Sequence, residues 1–376
     1  MNERELREIK RRFRPDRCNI PSIRGCFVNE NKQILAKINQ SLAMSGETSS
    51  ERLLGVMKKV LSGAIGTNLI GLEFRTRDVE SSEEHKLLMR LRSSGLSDDG
   101  ALDEIYGRII ESVNIEGNFA ILLAEDNYDV ITRREDGGEA ESSGIYTYVV
   151  CAVCPLKNVE GGLGFKEGDA SFHALISSLV LQRPECGFLF PAFDDRQSNI
   201  YGALFYTRSI KDNHSELVKR VFGKQAPMPA AAQKVSFGEA LAESLGDECE
   251  LDTLRAVHTQ ISEMVQAHKE ARIPEPLTLS AEVLKSVALS SGVDPERAES
   301  LREKIDESFG RGAAITPKNI INTKQYELKT PDVVIKVNPD RRDLVTTEMI
   351  NGQKYILIKA EEGVELNGIA VNVNNS

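Results

Sequence analysis

No apolar run in the sequence is long enough to cross a bilayer. The longest, Ile145 to Cys154, is broken by tyrosines and a threonine and falls well short of the roughly 20 residues that a spanning helix needs. The amino end, MNERELREIKRRFRPDR, is charged throughout and lacks the apolar stretch of a secretory signal, so a cytoplasmic protein with no membrane partner is expected. The six cysteines, Cys18, Cys26, Cys151, Cys154, Cys186 and Cys249, show no framework spacing. A chain of 376 residues buries enough surface to fold without disulfides, and most of these thiols are expected as small core residues. Tryptophan is absent, which excludes nothing.

The usual catalytic signatures are missing too. His85, His173, His214, His258 and His268 are dispersed, with no His-Glu-x-x-His spacing, and no Gly-x-Ser-x-Gly elbow occurs. Cys151-Ala-Val-Cys154 has zinc or redox spacing but no second ligand pair, and it lies in a valine-rich strand rather than at a helix start. Gly63-Ala-Ile-Gly66 follows a helix, so a phosphate there meets carbonyls, the wrong end of the dipole. Gly161-Gly162-Leu-Gly164 is not followed by Lys-Ser/Thr. No metal site is nominated and no cofactor is expected.

Charge is plentiful and uneven. The formal net charge is −10 at pH 7, which argues against an all-over basic surface. Yet Arg4, Arg7, Lys10, Arg11, Arg12, Arg14 and Arg17 crowd the amino end, while Glu239 to Glu307 is dominated by acids. One end is therefore suited to an anion or an acidic partner, or the two segments attract each other.

Periodicity predicts an α+β fold. Asn2 to Phe13 reads as a helix with Leu6, Ile9 and Phe13 on one face, ended by Pro15. SIRGCFVNENKQILAKINQSL reads as a hairpin about Asn29-Glu30-Asn31, and SSERLLGVMKKVLSG as a helix capped by Ser49 or Ser50. NLIGLEFRTRDV is an expected strand; Glu83 to Arg92 and Asp98 to Ser112 are expected helices. NFAILLAEDNYDVI, IYTYVVCAVCPL across a polar loop, GFLFPAF and IYGALFYTR then supply strands of an antiparallel sheet, closed by the helix HSELVKRVFG and a linker APMPAAAQKV. Residues 236 to 310 read as helix, interrupted at Ile273 to Pro276 and near Gly292, and the tail returns to strands with a turn at Asn351-Gly352. The expected division is an α+β domain over 1–225 with an N-terminal α/β unit and antiparallel sheet, an acidic helical region over 236–310, and a small β-rich C-terminal unit over 311–376.

Two groups of residues are candidates for function. Asp194-Asp195-Arg196 sits between apolar runs; the pair of acids has the chemistry of a Mg²⁺ ligand or a general base, but adjacent strand residues point opposite ways, and a turn is the simpler account. Arg4, Arg7, Arg11 and Arg14 step by three and four, which lays them along one helical stripe able to follow a phosphate backbone or to pair with acidic helices, and Lys58-Lys59 extend the patch. A solvated helix face is the alternative.

The segments NERELREIKRRFRPD, IRGCFVNENKQI, KKVLSGAIGTNLI, FLFPAFDDRQSNIY, PMPAAAQK and TPDVVIKVNPDR together resemble, over the whole chain, a family from clostridia and related Firmicutes catalogued as a domain of unknown function (DUF4317). That resemblance implies no activity and no site. In element order the chain is also similar to the bacterial nucleoid-associated protein family, with NFAILLAEDNYDV, FLFPAF with IYGALFYTR, EPLTLSAEVLKSV and TPDVVIKVNPD with QKYILIKA in matching order; this implies DNA association by analogy of fold. The leading expectation is a non-enzymatic, nucleoid- or DNA-associated protein using the basic helix. The alternatives are a metal-dependent phosphoryl-transfer or hydrolytic enzyme centred on Asp194, Asp195 and Arg196, or a scaffold binding another protein through its acidic helical region. Oligomeric state is not legible.

Overall fold

A computed structural model describes the chain except residues 133–140, 167, 169, 274, 323–325, 339–340, 342–343, 361–362, 367–368 and 372–376. Residues 133–140 of the polar loop expected before Ile145, and Pro274 of the expected helix break, lie outside the described residues; residues 141–144 of that loop are strand. The protein is α+β and divides into two compact units: Met1–Gln233 with Arg272–Leu277, and Lys234–Ala271 with Thr278–Ser376.

The first unit opens with α1 (Glu3–Lys10), β1 (Ser22–Val28), β2 (Ile34–Ser41), α2 (Glu47–Lys59), β3 (Leu69–Glu73), α3 (Thr76–Ser81), α4 (Glu83–Ser93) and α5 (Asp99–Ser112). Long strands β4 (Phe119–Thr132) and β5 (Glu141–Val159) follow, then β6 (Gly162–Lys166), β7 (Ser171–Leu175), β8 (Ser178–Leu181), β9 (Cys186–Phe190), β10 (Ala192–Asp194), β11 (Gln197–Asn199), β12 (Gly202–Thr207) and α6 (Ser215–Phe222). The main sheet has the order β2-β1-β4-β5-β9-β12-β3, with β8 on the outer end of β5, and its pairings are antiparallel.

Both faces of this sheet are covered, which is why its central strands read as near-continuous apolar runs rather than as an alternation. Along β4, Phe119, Ile121 and Leu123 join the core under α4, α5 and α6. Ala120, Leu122 and Ala124 join the opposite core, with Leu6, Ile9 and Phe13 of the α1 segment and Leu54 and Met57 of α2. Each fully buried side chain of this kind stabilises by roughly 1.5–3 kcal/mol, so three anchors suffice to hold a short helix on the sheet.

The second unit takes α7 (Ala230–Leu245) from Lys234 onward, with α8 (Leu251–Glu270), α9 (Ala281–Ser290), α10 (Pro295–Phe309) and α11 (Pro317–Ile320). Its core includes Leu245, Ile261, Leu284, Ala298, Leu301 and Ile305. Ser280 caps α9 by accepting from Val283 N–H, and Asp294 caps α10 by accepting from Glu296 N–H, with Pro295 at the first turn. Hairpins β13–β14 (Tyr326–Lys329, Val334–Val337), β15–β16 (Val345–Ile350, Gln353–Ile358) and β17–β18 (Val364–Leu366, Ile369–Val371) complete it. Asn351 and Gly352 turn the second hairpin, both with φ above zero, as a two-residue hairpin turn requires.

Several local expectations are corrected. α1 stops at Lys10, not Phe13, because the chain tightens, with Arg12 N–H bonding Ile9 O at 2.9 Å, and carries Arg12 inward; Arg14 is therefore off the helix. α2 starts at Glu47, and Ser50 is inside it with its hydroxyl donating to Leu42 O at 2.7 Å rather than capping. β3 ends at Glu73 because Asp78 accepts from Arg75 N–H at 2.8 Å and starts α3. Ala230 to Val235, read as linker, already belong to α7, alanine being the best helix former. Strands β6 to β8 were not anticipated.

Candidate nucleic-acid interface

The amino-terminal helix is built by its own polar ends. Asn2 Oδ1 accepts from Arg4 and Glu5 N–H at 3.0 and 3.1 Å, while Glu5 Oε2 accepts from Asn2 N–H at 2.7 Å. This reciprocal cap satisfies donors that a short helix otherwise leaves open, and acids in the first turn with bases in the last complement its dipole. With Leu6 and Ile9 buried, Arg4, Arg7 and Arg11 are left exposed along one stripe, and the rise per residue places Arg4 and Arg11 about 10 Å apart.

Two clamps on the inward side hold this orientation. Arg12 donates from Nε and Nη2 to the Asp126 carboxylate at 3.1 and 3.2 Å, and its guanidinium lies 4.9 Å from the centre of the Tyr128 ring. Asp126 also accepts from Asn19 N–H at 2.7 Å and from the Tyr148 hydroxyl at 2.9 Å, as a buried carboxylate must to offset its desolvation. The second clamp is Glu8, which accepts from the Tyr128 hydroxyl at 2.7 Å and from Arg196 Nη2 at 2.9 Å. Burial first, and then the Glu8 carboxylate, push the Tyr128 hydroxyl pKa up, so Tyr128 stays a neutral donor.

The outer cations contrast with these. Arg7 bonds Glu3 O through Nε at 3.1 Å and has the Glu3 carboxylate only at 3.8 Å, both groups well exposed; such a pair is worth a few tenths of a kcal/mol. Arg4, Arg11 and Arg14 form no salt bridge among the described residues, and Arg14 projects from the turn after the helix. Lys58 and Lys59 end α2, Lys59 exposed and Lys58 half-buried. The pKa of Lys10 is lowered by burial first and then by Lys58, partly offset by Glu3. The last turns of α1 and α2 thus bring like charges within interacting range. Lys10 was in the amino-end charge run, but its nearness to Lys58 depends on how the two helices pack on the sheet, and no local signal carries that.

Three cations of the second unit, on α9 and α10, are paired. Lys285 and Arg302 both reach Glu299, at 2.6 and 2.5 Å; Arg302 also meets Asp306 at 3.0 Å, and Lys304 meets Glu243 at 2.5 Å. Hydrogen bonds from Arg302 and then Lys285 hold the Glu299 carboxyl down at about 2.

Asp194, Asp195 and Arg196 form a corner. Asp194 pairs with Gln197 across β10–β11, and Asp195 and Arg196 turn the hairpin with φ of 48° and 57°, the left-handed pair that suits a two-residue loop. Asp194 accepts from Asn199 Nδ2 at 2.6 Å and meets the Met1 nitrogen. Asp195 is exposed, and Arg196 belongs to the Glu8 clamp. Among the described residues no three His, Cys, Asp or Glu side chains gather where an ion could sit. Cys151 and Cys154 lie in opposite cores of the sheet, both buried, and burial pushes the Cys154 thiol up to about 12. In the Gly63–Gly66 loop the Asn68 and Leu69 amides bond Ala64 O and the Gly66 amide bonds Leu69 O, which leaves those three donors occupied. His85 is buried between Phe74 and Phe190, with Nε2 2.9 Å from Ile200 O.

No helix among the described residues is long and apolar enough to cross a membrane. Comparison with curated proteins finds no match. A family model described as "Domain of unknown function (DUF4317)" matches residues 1–369, and the chain belongs to that family.

Proposed function

We propose that this is a non-enzymatic cytoplasmic protein that associates with nucleic acid through the outer face of α1 and the last turn of α2. The observation that carries the reading is the crowding of cations there: Arg4, Arg7 and Arg11 are exposed along one stripe, and Arg4 and Arg11 form no salt bridge among the described residues; burial first and then Lys58 lower the Lys10 pKa. Cations gathered on one exposed face of an otherwise acidic chain suit an external anion. A polyanion relieves the repulsion and releases its own condensed counterions on binding. Duplex DNA, with its regular array of phosphates, is the first polyanion to try. Arg4, Arg7 and Arg11 are the phosphate contacts, with Lys10, Lys58, Lys59 and Arg14 extending the field. Nothing in this face reads bases, so the expected binding is indifferent to sequence.

The test is fluorescence anisotropy of a labelled duplex at low salt, with wild type and an Arg4→Gln/Arg7→Gln/Arg11→Gln variant. Exposed substitutions of this kind leave stability within about 0.5 kcal/mol, so folding does not confound the result. The expected outcome is micromolar binding by the wild type, weakened at least tenfold in the variant. Equal affinities, or no binding by either, remove the proposal.

A further inference from the structure

We propose that the cationic face of α1 and α2 continues across the end of β12 to Arg208 and Arg183, and that Glu185 is the acid that holds Arg208 back from a bound duplex. Resting on the nucleic-acid reading of α1, this extension gives the polyanion a second foothold and a competitor on the protein itself. The end of α2 sits directly on this part of the sheet. Val60, at the cap of α2, is buried, and a Cβ at Gly187 of β9 would lie 3.0 Å from both of its methyl carbons. Gly187 pairs with Tyr206 of β12, and Tyr206 shares one core with Leu54, Met57 and Val60 of the α2 segment and with Leu6 and Ile9 of α1. Arg208 N–H bonds Glu185 O at 2.8 Å, which carries the ladder past Thr207. Side chains alternate along a strand, so Arg208 lies on the face of Tyr206, the face that α1 and α2 cover.

Arg183 reaches the same corner from the other side. It belongs to the connection from β8 to β9, where the Gln182 and Glu185 N–H groups bond Pro155 O and Val153 O at 2.9 and 2.8 Å. Burial first raises the Tyr206 pKa; a hydrogen bond with Ser62 and the charges of Arg208 and Arg183 lower it, against Glu185. Both arginines are therefore within electrostatic range of one phenol. Ser62 joins that phenol to the end of α2, since its hydroxyl donates to Lys59 O at 2.5 Å.

The two arginines are not equally available. Arg183 is exposed and forms no salt bridge among the described residues. Arg208, its side chain 54% exposed, meets the Glu185 carboxylate at 3.3 Å. An exposed pair of this kind is weak, whereas an arginine on a phosphate makes a charge-assisted, bidentate contact. Glu185 thus competes with phosphate for Arg208. Asp212, the other acid near this corner, is turned to the start of α6, where it accepts from His214 N–H at 2.8 Å.

The experiment is the salt dependence of duplex binding, read by fluorescence anisotropy, for wild type, Arg183→Gln/Arg208→Gln, Glu185→Gln and Glu111→Gln. With Arg208 partly tied, the two arginines together amount to about one phosphate contact. The double variant should lose about one unit of slope and weaken only about 40-fold between 50 and 200 mM, where the wild type weakens about 150-fold. Glu185→Gln frees Arg208 and should add about one contact, which steepens the loss to about 500-fold and tightens binding at 50 mM. A gain of this kind does not come from misfolding. Glu111→Gln is the control for bulk charge. It releases Arg220, which Glu111 meets at 2.7 Å, on α5 and α6 over the opposite core, and is expected to leave the slope unchanged. Binding that weakens in Arg4→Gln/Arg7→Gln/Arg11→Gln but keeps its slope in Arg183→Gln/Arg208→Gln overturns the extension alone. So does Glu185→Gln that fails to tighten binding, or Glu111→Gln that tightens it as much. No binding by the wild type removes the reading of α1 and the extension with it.

Discussion

Asp126→Ala tests the clamp that orients the basic helix. The carboxylate side chain is fully buried, while that of Arg12 keeps 17% exposure. Removing one partner of a buried pair costs about 3–5 kcal/mol, and the residual exposure of Arg12 places the loss near the lower bound. The Asn19 N–H and the Tyr148 hydroxyl lose their acceptor as well, adding about 1 kcal/mol between them, for a total of about 4 kcal/mol. For a unit of this size each kcal/mol lowers Tm by about 2–4 °C, so differential scanning calorimetry should show the transition of the first unit falling by about 8–16 °C. Arg12→Met with Asp126→Leu should recover roughly half of that, because no charge is then left buried alone. A fall of less than about 3 °C for Asp126→Ala, or a double variant no more stable than the single one, refutes the assignment of Asp126 as the anchor of the α1 segment.

Burial raises the Glu125 pKa, against the Asn127 hydrogen bond that lowers it. An acid raised in the folded state costs stability once pH climbs above its unfolded value, 4.5, and through its folded one. Glu125→Gln should therefore be more stable than wild type at pH 7 by chemical denaturation, with the advantage vanishing at or below about pH 4; an advantage that grows on acidification contradicts the sign. Asp195→Gly should leave the protein intact or stabilise it by about 0.5–1 kcal/mol, since glycine adopts the φ of 48° without strain; a marked loss of Tm would show that the carboxylate has a task beyond the turn. Ser280→Ala, which removes the α9 cap, should cost about 1 kcal/mol in urea unfolding, and no change would refute the cap.

Much of the fold was legible because its signals are local. The apolar runs of β4 and β5, the helices from Glu83 and Asp98 onward, and the Asn351-Gly352 turn each follow from a period or a turn residue within a few positions. The start of α2 was not, because Ser50 spends its hydroxyl on Leu42 O, a tertiary partner invisible to a capping rule. The end of α1 was missed for the same reason, as Arg12 leaves the helix to meet a carboxylate 114 residues away. Arg4, Arg7 and Arg11 were legible as a stripe from spacing alone. What spacing hides is the difference between Arg12 and its neighbours, one cation consumed by the core and the others turned outward, and the convergence of Lys10 with Lys58.

The most direct test of the central idea, an uncompensated cationic face on α1, is the salt dependence of duplex binding. With the three arginine contacts and about one more from the flanking cations, about four in all, the slope of log K against log salt should be near −3.6, which weakens binding by roughly 150-fold between 50 and 200 mM. Arg4→Gln/Arg7→Gln/Arg11→Gln should bring the slope to about −1, each lost contact removing about one unit. A slope near zero for the wild type, or the same slope in both proteins, contradicts the account.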